Sequence, residues 1–477
     1  MSTVGVTLRC TGCAAMVDPL DPVSGGPSAG FRCPNADRAP RIDHVLVWEP
    51  HINGVTEWPT DPNINPFIRY RTLHHSYWLA RARGLTDQQY IDRVGRLDQA
   101  IASVDSTGHG FVITPFDVNE TASDALGVRV WAKDETGNVS GSHKGRHLMG
   151  LAIHLDVEKV PVTQRLAIAS CGNAALAAAT IAKAARRPVQ VFVPTDANPA
   201  VLDRLHALGA TLNRMDRTPG SPPGDPCVHG FHAALTRGAM PFCVQGNENG
   251  LTLDGGNTIG HELVDQFAVM DLRPTRVVVQ CGGGAFATSL MRGLGHGVLL
   301  GMLHSLPPIH VVQADGAAPL RRAWAAVANR ALAALGVDDL RADGLRYDDH
   351  AMDALVAERL TQPDAADATS QALQFAAANR SSHMWVWEEA PASVAGGILD
   401  DEAYDWFALV GAMICTGGWP VVVDDETLLE ANLISGSPAD ETGTAGLAGV
   451  VTLRRARQIA DAEDVVCVYS GIRRTEG

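Results

Sequence analysis

The chain has 477 residues, 46% of them hydrophobic, and a formal net charge of −15. That is enough apolar material for two or three cores, and the negative balance excludes a chain built to bind a phosphate backbone or an anionic membrane surface. Nine scattered cysteines, an odd number, fit a reducing compartment better than a disulfide framework.

The first residues carry no basic stretch followed by an apolar core, so no secretion signal is expected and the chain reads as cytoplasmic. Cys10-Thr-Gly-Cys13 and the later Cys33 resemble two knuckles of a zinc ribbon whose fourth cysteine is missing. A structural zinc needs four ligands in a closed tetrahedron. Asp37 or His44 could take the fourth place, but neither has the usual knuckle spacing. The expectation is therefore a degenerate ribbon with no metal over residues 1–48. A helical region over 49–125 follows, marked by Trp78, Leu79, Ala82 and then Ile91, Val94, Leu97 and Ile101 at spacings of three and four.

From Val128 strands and helices alternate. Arg129–Ala132, Arg165–Ala169 and Val189–Val193 read as strands, with Gly209–Leu212 opening the next. An alanine-rich helix follows Ser170-Cys-Gly-Asn173, and Asn198-Pro199 caps another. This is a βαβαβ unit, which predicts a parallel sheet in a first α/β domain over 126–274. A second α/β domain over 275–477 begins with the strand Thr275–Gln280, the turn Cys281-Gly-Gly-Gly284 and a helix from Ala285. It continues through a strand at Ile309–Ala314, alanine-rich helices, and late strands at Val421–Val423 and Val465–Tyr469. The apolar run from Trp406 to Val423 is broken by Gly417, Gly418 and Pro420, so it predicts a buried helix and a strand rather than a membrane span.

Four lysines stand against 34 arginines, and Lys144 lies among glycines and serines just after a strand. A partly buried amine can lose its proton and attack a carbonyl, which a guanidinium cannot. The glycine turn offers backbone N–H groups and a helix N-terminus to a phosphate. It matches neither Gly-x-Gly-x-x-Gly nor Gly-Lys-Ser/Thr, so a small phosphorylated cofactor is favoured over a nucleotide. Amine, phosphate cradle and the polar loop ending in Asn173 together meet the needs of pyridoxal phosphate. Asn173 would hydrogen-bond the ring hydroxyl and also cap the helix that follows.

These segments resemble the threonine synthase-like family of fold-type II pyridoxal phosphate enzymes. Lys133-Asp-Glu-Thr136 and Ser142-His-Lys144-Gly-Arg146 are similar to its lysine motif. Ala169-Ser-Cys-Gly-Asn173 is similar to its Ser-Ser-Gly-Asn loop, and Gln280-Cys-Gly-Gly-Gly284 to its phosphate loop. Gln313-Ala-Asp-Gly316 and Val468-Tyr-Ser-Gly471 follow in the family's order, so the resemblance spans roughly Thr114 to Gly471. It implies a two-domain α/β fold of tryptophan synthase β type, with parallel sheets and flanking helices, and a homodimer. It also implies a Schiff-base lysine at Lys144, and cofactor contacts from His143, Asn173, Gly282, Gly283, Gly284, Ala285 and Phe286. Ser470 would face the pyridine nitrogen, while Ser170, Cys171, Gly172 and Arg146 would meet the substrate.

The implied activity is elimination or replacement at Cβ or Cγ of an amino acid. Serine or threonine deamination and β-replacement are the alternatives within that chemistry, and a non-catalytic binding protein is the alternative outside it. Five positions depart from the family: His143 replaces Phe, Gly145 replaces Asp, Thr442 stands where Glu is expected, and Gly256-Asn257 replaces two lysines. If those lysines hold a substrate phosphate, their loss argues against phosphohomoserine.

Overall fold

The valine runs of the second half become the middle of a six-stranded sheet. In the computed structural model, which describes residues 4–217, 224–344, 346 and 348–474, its strands lie in the order Pro420–Val423, Ile309–Ala314, Arg276–Gln280, Asp464–Tyr469, Arg129–Asp134, Phe116–Val118. The first five are parallel, and Phe116–Val118 pairs antiparallel at the edge. Val277, Val278, Val279, Val311, Val312, Val465 and Val466 are all fully buried, as expected of parallel strands with helices on both faces.

A smaller sheet of four parallel strands is ordered Thr211–Met215, Val189–Pro194, Leu166–Ala169, Met240–Pro241. The strand Arg129–Asp134 is therefore not the first strand of this unit, as the alternation had suggested. It pairs along its whole length with Asp464–Tyr469, so the two sheets do not divide at residue 274. After its N-terminal segment the chain enters the large sheet, leaves to build the small one, and returns.

The lysine-bearing helix Lys144–Val157 is pressed against its neighbours by glycines. A Cβ on Gly150 would lie 2.6 Å from Gly255 Cα, and one on Gly293 would lie 2.7 Å from Gly260 Cα. The first contact joins it to the helix Leu251–Gly256; the second joins Thr258–Val269 to Ala285–Leu299. Two cores result, one around each sheet.

The N-terminal segment forms a three-stranded antiparallel sheet from Leu8–Cys10, Met16–Val17 and Leu46–Val47. It bridges the two halves. His154 Nε2 donates to the Pro27 carbonyl (2.9 Å), Arg380 N–H to Arg41 (2.8 Å) and Asp43 N–H to Ala377 (2.9 Å). The Trp406 indole donates to Asp43 Oδ1 (3.0 Å). Among the described residues no helix is long and apolar enough to cross a membrane.

Candidate active site

Lys144 is the first residue of its helix, preceded by a turn in which Ser140 (φ 61°) and Gly141 (φ 71°) both take the left-handed conformation. Serine rarely adopts it, so the surroundings must hold it there. They do so from the far end of the chain. The Ile472 N–H donates to Gly141 O (2.9 Å), Arg474 Nη2 to Ser140 O (2.7 Å), and the His143 N–H to Ser470 Oγ (3.0 Å). The lysine turn and the residues after the central strand are one unit.

The half-buried Lys144 amine makes no hydrogen bond among the described residues. Burial lowers its pKa below the ordinary lysine value, against the opposing pull of Asp400, Cys281 and Asp405. A lysine with that balance spends more of its time as the neutral amine. His143 lies flat on Phe286, ring centroids 3.9 Å apart at 20°. Its Nδ1 is 2.5 Å from Ser470 Oγ, and its buried Nε2 has no partner among the described residues. Burial, then the nearby Lys144 charge, hold this imidazole neutral.

The glycine turn follows the strand Arg276–Gln280 and opens the helix Ala285–Leu299, with Gly284 at φ 100°. Gly282 and Gly283 face the segment Ile398–Asp405. A Cβ on Gly282 would collide with the Asp400 carboxylate, and one on Gly283 would lie 2.8 Å from Tyr404 Cδ2. The Gly283 N–H points at Asp400. Burial raises the Asp400 carboxyl to about 6, while Lys144 and this N–H pull it back down, so an acidic side chain rests over the turn.

Asn173 is not the cap of its helix; Gly172 is, without a side-chain bond. The Asn173 carboxamide instead meets the C-terminal segment, its Oδ1 accepting from Arg474 (3.5 Å). A Cβ on Gly471 would lie 2.8 Å from its Nδ2. Ser170, Cys171 and Gly172 form the loop leading to it, with Ser170 Oγ accepting the Gly172 N–H (3.4 Å). Cys171 opens to solvent, yet the enclosing wall and then Asp225, Asp196 and Asp400 push its thiol up.

One expected substrate residue is elsewhere. Arg146 is fully buried and directs its donors to Glu135 (2.7 and 2.8 Å), Glu262 (2.5 Å), Thr258 (3.1 Å) and Thr114 (3.2 Å). Nothing is left for a substrate. The altered positions also have steric reasons. A Cβ on Gly145 would lie 3.1 Å from Val139 O, and one on Gly256 would lie 2.5 Å from Ser289 Oγ. Asn257 is fully buried, its amide matching acceptors at Leu253 and Ser289. Neither position has room for a lysine. Thr442 Oγ1 accepts the Gly397 N–H (3.1 Å), anchoring the segment over the glycine turn.

Sequence reasoning missed Asp400, Tyr404, Asp405 and Arg474. The first three lie in a short acidic stretch without periodicity, and Arg474 beside Arg473 in a segment without periodicity; no local pattern marks them.

Two parallel-sheet units, with a lysine at a helix start beside a glycine turn, are the layout of a fold-type II pyridoxal phosphate enzyme. The family profile described as pyridoxal-phosphate dependent enzyme matches residues 111–378, more than half the chain, and the chain belongs to that family, with pyridoxal phosphate as its cofactor. A threonine synthase of Methanosarcina acetivorans is 26% identical over 226 residues, 44% of this chain and 49% of that protein. The match thus spans about half the length of that curated relative. Among solved structures, threonine deaminase isoform 2 from Solanum lycopersicum superposes with a TM-score of 0.54 at 16% identity, covering 82% of this chain and 86% of that one. Diaminopropionate ammonia lyase from Escherichia coli gives 0.53 at 15%, covering 80% and 88%. Maize serine racemase gives 0.51 at 16%, covering 81% and 94%. At such identities the likeness is one of fold. The residues fit the cofactor: a cradle that already attracts a carboxylate, a half-buried amine without a hydrogen bond, and an imidazole nitrogen without a partner.

Proposed function

We propose that the chain is a lyase or synthase that eliminates or replaces a group at Cβ or Cγ of an amino acid, in the manner of threonine synthases. The observation that carries this reading is the Lys144–His143–Ser470 unit, whose neutral hydroxyl we assign to the cofactor's ring nitrogen. Bound pyridoxal phosphate supplies an aldehyde for amines and an electron sink next to the substrate's amino group. In our assignment the backbone of Gly282, Gly283, Gly284, Ala285 and Phe286 holds its phosphate, and Asn173 and His143 hold the ring. Lys144, with its lowered pKa, takes the proton from the substrate's α-carbon. A serine at the ring nitrogen gives a weaker sink than a carboxylate would. That favours prompt loss of a leaving group over long-lived carbanions, hence elimination or replacement over transamination.

The loop Ser170–Asn173 receives the substrate in this reading. Its wall is acidic, with Asp196, Asp225 and Asp400 around Cys171. Together with the packed Gly256-Asn257, this disfavours a phosphorylated side chain, since each lost charge-assisted hydrogen bond costs about 1.5–3 kcal/mol. The nine unpaired cysteines support a reducing compartment, the cytoplasm, and we expect a homodimer, which sedimentation checks.

The test is the holoenzyme with a panel of serine, threonine, O-acetylserine, 2,3-diaminopropionate and O-phosphohomoserine, following keto-acid and leaving-group release. A non-phosphorylated substrate should be turned over best. Threonine formation from O-phosphohomoserine at kcat/KM of roughly 10⁴ M⁻¹s⁻¹ or above would overturn the substrate assignment. A holoenzyme inert towards the whole panel would instead favour a binding protein.

A further inference from the structure

The ribbon expected to be degenerate brings four ligand atoms together. Cys10 Sγ, Cys13 Sγ, Cys33 Sγ and a ring nitrogen of His44 all lie within 4.8 Å of one another. Cys10 Sγ is 3.4 Å from His44 Nδ1, and Cys13 Sγ is 3.6 Å from Cys33 Sγ. A tetrahedral zinc with three sulfurs and one nitrogen sets its ligand atoms about 3.5–3.8 Å apart, so the cluster needs only a small contraction. We propose that Cys10, Cys13, Cys33 and His44 bind one zinc ion as a closed structural site.

Hydrogen-bond donors converge on the sulfurs. The Asn35 N–H points at Cys33 Sγ (3.5 Å) and Asn35 Nδ2 at Cys13 Sγ (3.6 Å). The N–H groups of Gly12 and Cys13 face Cys10. Donors converging on sulfur stabilise the deprotonated ligand that a metal requires. His44 Nε2 is 3.1 Å from Ala39 O; with the proton on that nitrogen, Nδ1 turns its lone pair into the cluster. The fourth ligand escapes a spacing rule because strand pairing delivers it. Cys10 sits opposite Leu46 across the sheet, and Gly12 packs so closely on the Asp43 backbone that no side chain fits between the knuckles. Three sulfurs and one imidazole in a tetrahedral cage select zinc over the harder divalent cations. On binding, the ion displaces the remaining thiol protons to solvent, and no oxidant is involved.

Elemental analysis of the purified holoenzyme should find about one zinc per chain, and zinc X-ray absorption should find three sulfurs near 2.3 Å and one nitrogen near 2.0–2.1 Å. His44→Ala should lose the nitrogen and release zinc to a chelator at least about tenfold faster, while Cys415→Ser, far from the cluster, should match the parent protein. These readings do not depend on catalysis. Zinc that dialysis removes, a shell without sulfur, zinc retained when Cys10, Cys13 and Cys33 are all serine, or an intact mass two hydrogens light from a Cys13–Cys33 disulfide would each overturn the site.

Discussion

Arg146→Met should destabilise the enzyme without touching its substrate. Arg146 and Lys133 face Glu135 and Glu262 in a cluster whose side chains are at most 1% exposed, two charges of each sign. Removing the guanidinium leaves one uncompensated negative charge. Burial alone would raise the Glu135 carboxyl, but Arg146 and Lys133 overcome it and hold it at about 2, against 4.5 ordinarily. That difference is worth about 3 kcal/mol at neutral pH, comparable to the roughly 3–5 kcal/mol found on breaking a buried pair. Because the folded pKa is depressed, this stability is present above pH 4.5 and is lost as pH falls towards 2. Urea unfolding at pH 7, followed by circular dichroism, should show the midpoint of the first transition fall by about 1 M. KM of the folded variant should stay within about twofold of the parent's. A loss under about 1 kcal/mol would refute the buried-cluster argument. A KM raised tenfold or more at unchanged stability would return Arg146 to the substrate.

Borohydride reduction of the holoenzyme and peptide mapping should leave the pyridoxyl group on Lys144; finding it on Lys133, Lys159 or Lys183 would defeat that assignment. Gly283→Val should weaken cofactor retention on dialysis by about tenfold or more, because a side chain there meets Tyr404 and screens the N–H groups. Unchanged retention would remove this turn as the phosphate cradle. Burial raises Asp405 to about 7 from 3.8, so the folded state favours its protonated form, and stability is lost as pH rises through about 7. Asp405→Asn should therefore gain on the order of 2–4 kcal/mol at pH 8 and little at pH 4, read by thermal unfolding of the apoenzyme. An equal effect at both pH values would show that the gain is not electrostatic.

What the sequence made legible is what local chemistry determines. Valine runs ending in glycine marked the strands Arg276–Gln280 and Ile309–Ala314, and Lys144 was conspicuous among so few lysines. Partners across the fold left no local trace. Arg129–Asp134 has the same pattern whichever sheet it joins. Arg146 looks available beside Lys144 until Glu262 arrives from another helix, and the choice of His44 over Asp37 is made only when the fold brings it to the three cysteines. Asp400 reads as a surface acid because nothing in its own segment says that a glycine turn lies beneath it.

The position of Asp464–Tyr469 has a consequence for biosynthesis. It lies between Arg276–Gln280 and Arg129–Asp134, so those strands emerge from the ribosome with a gap between them that only the last-made strand fills. The smaller sheet, drawn from one continuous stretch, can assemble during translation, while the larger one waits with two hydrophobic edges open. The nascent protein should lean on chaperones over that interval, and a ribosome stalled before residue 464 would carry an aggregation-prone half rather than a partly active enzyme.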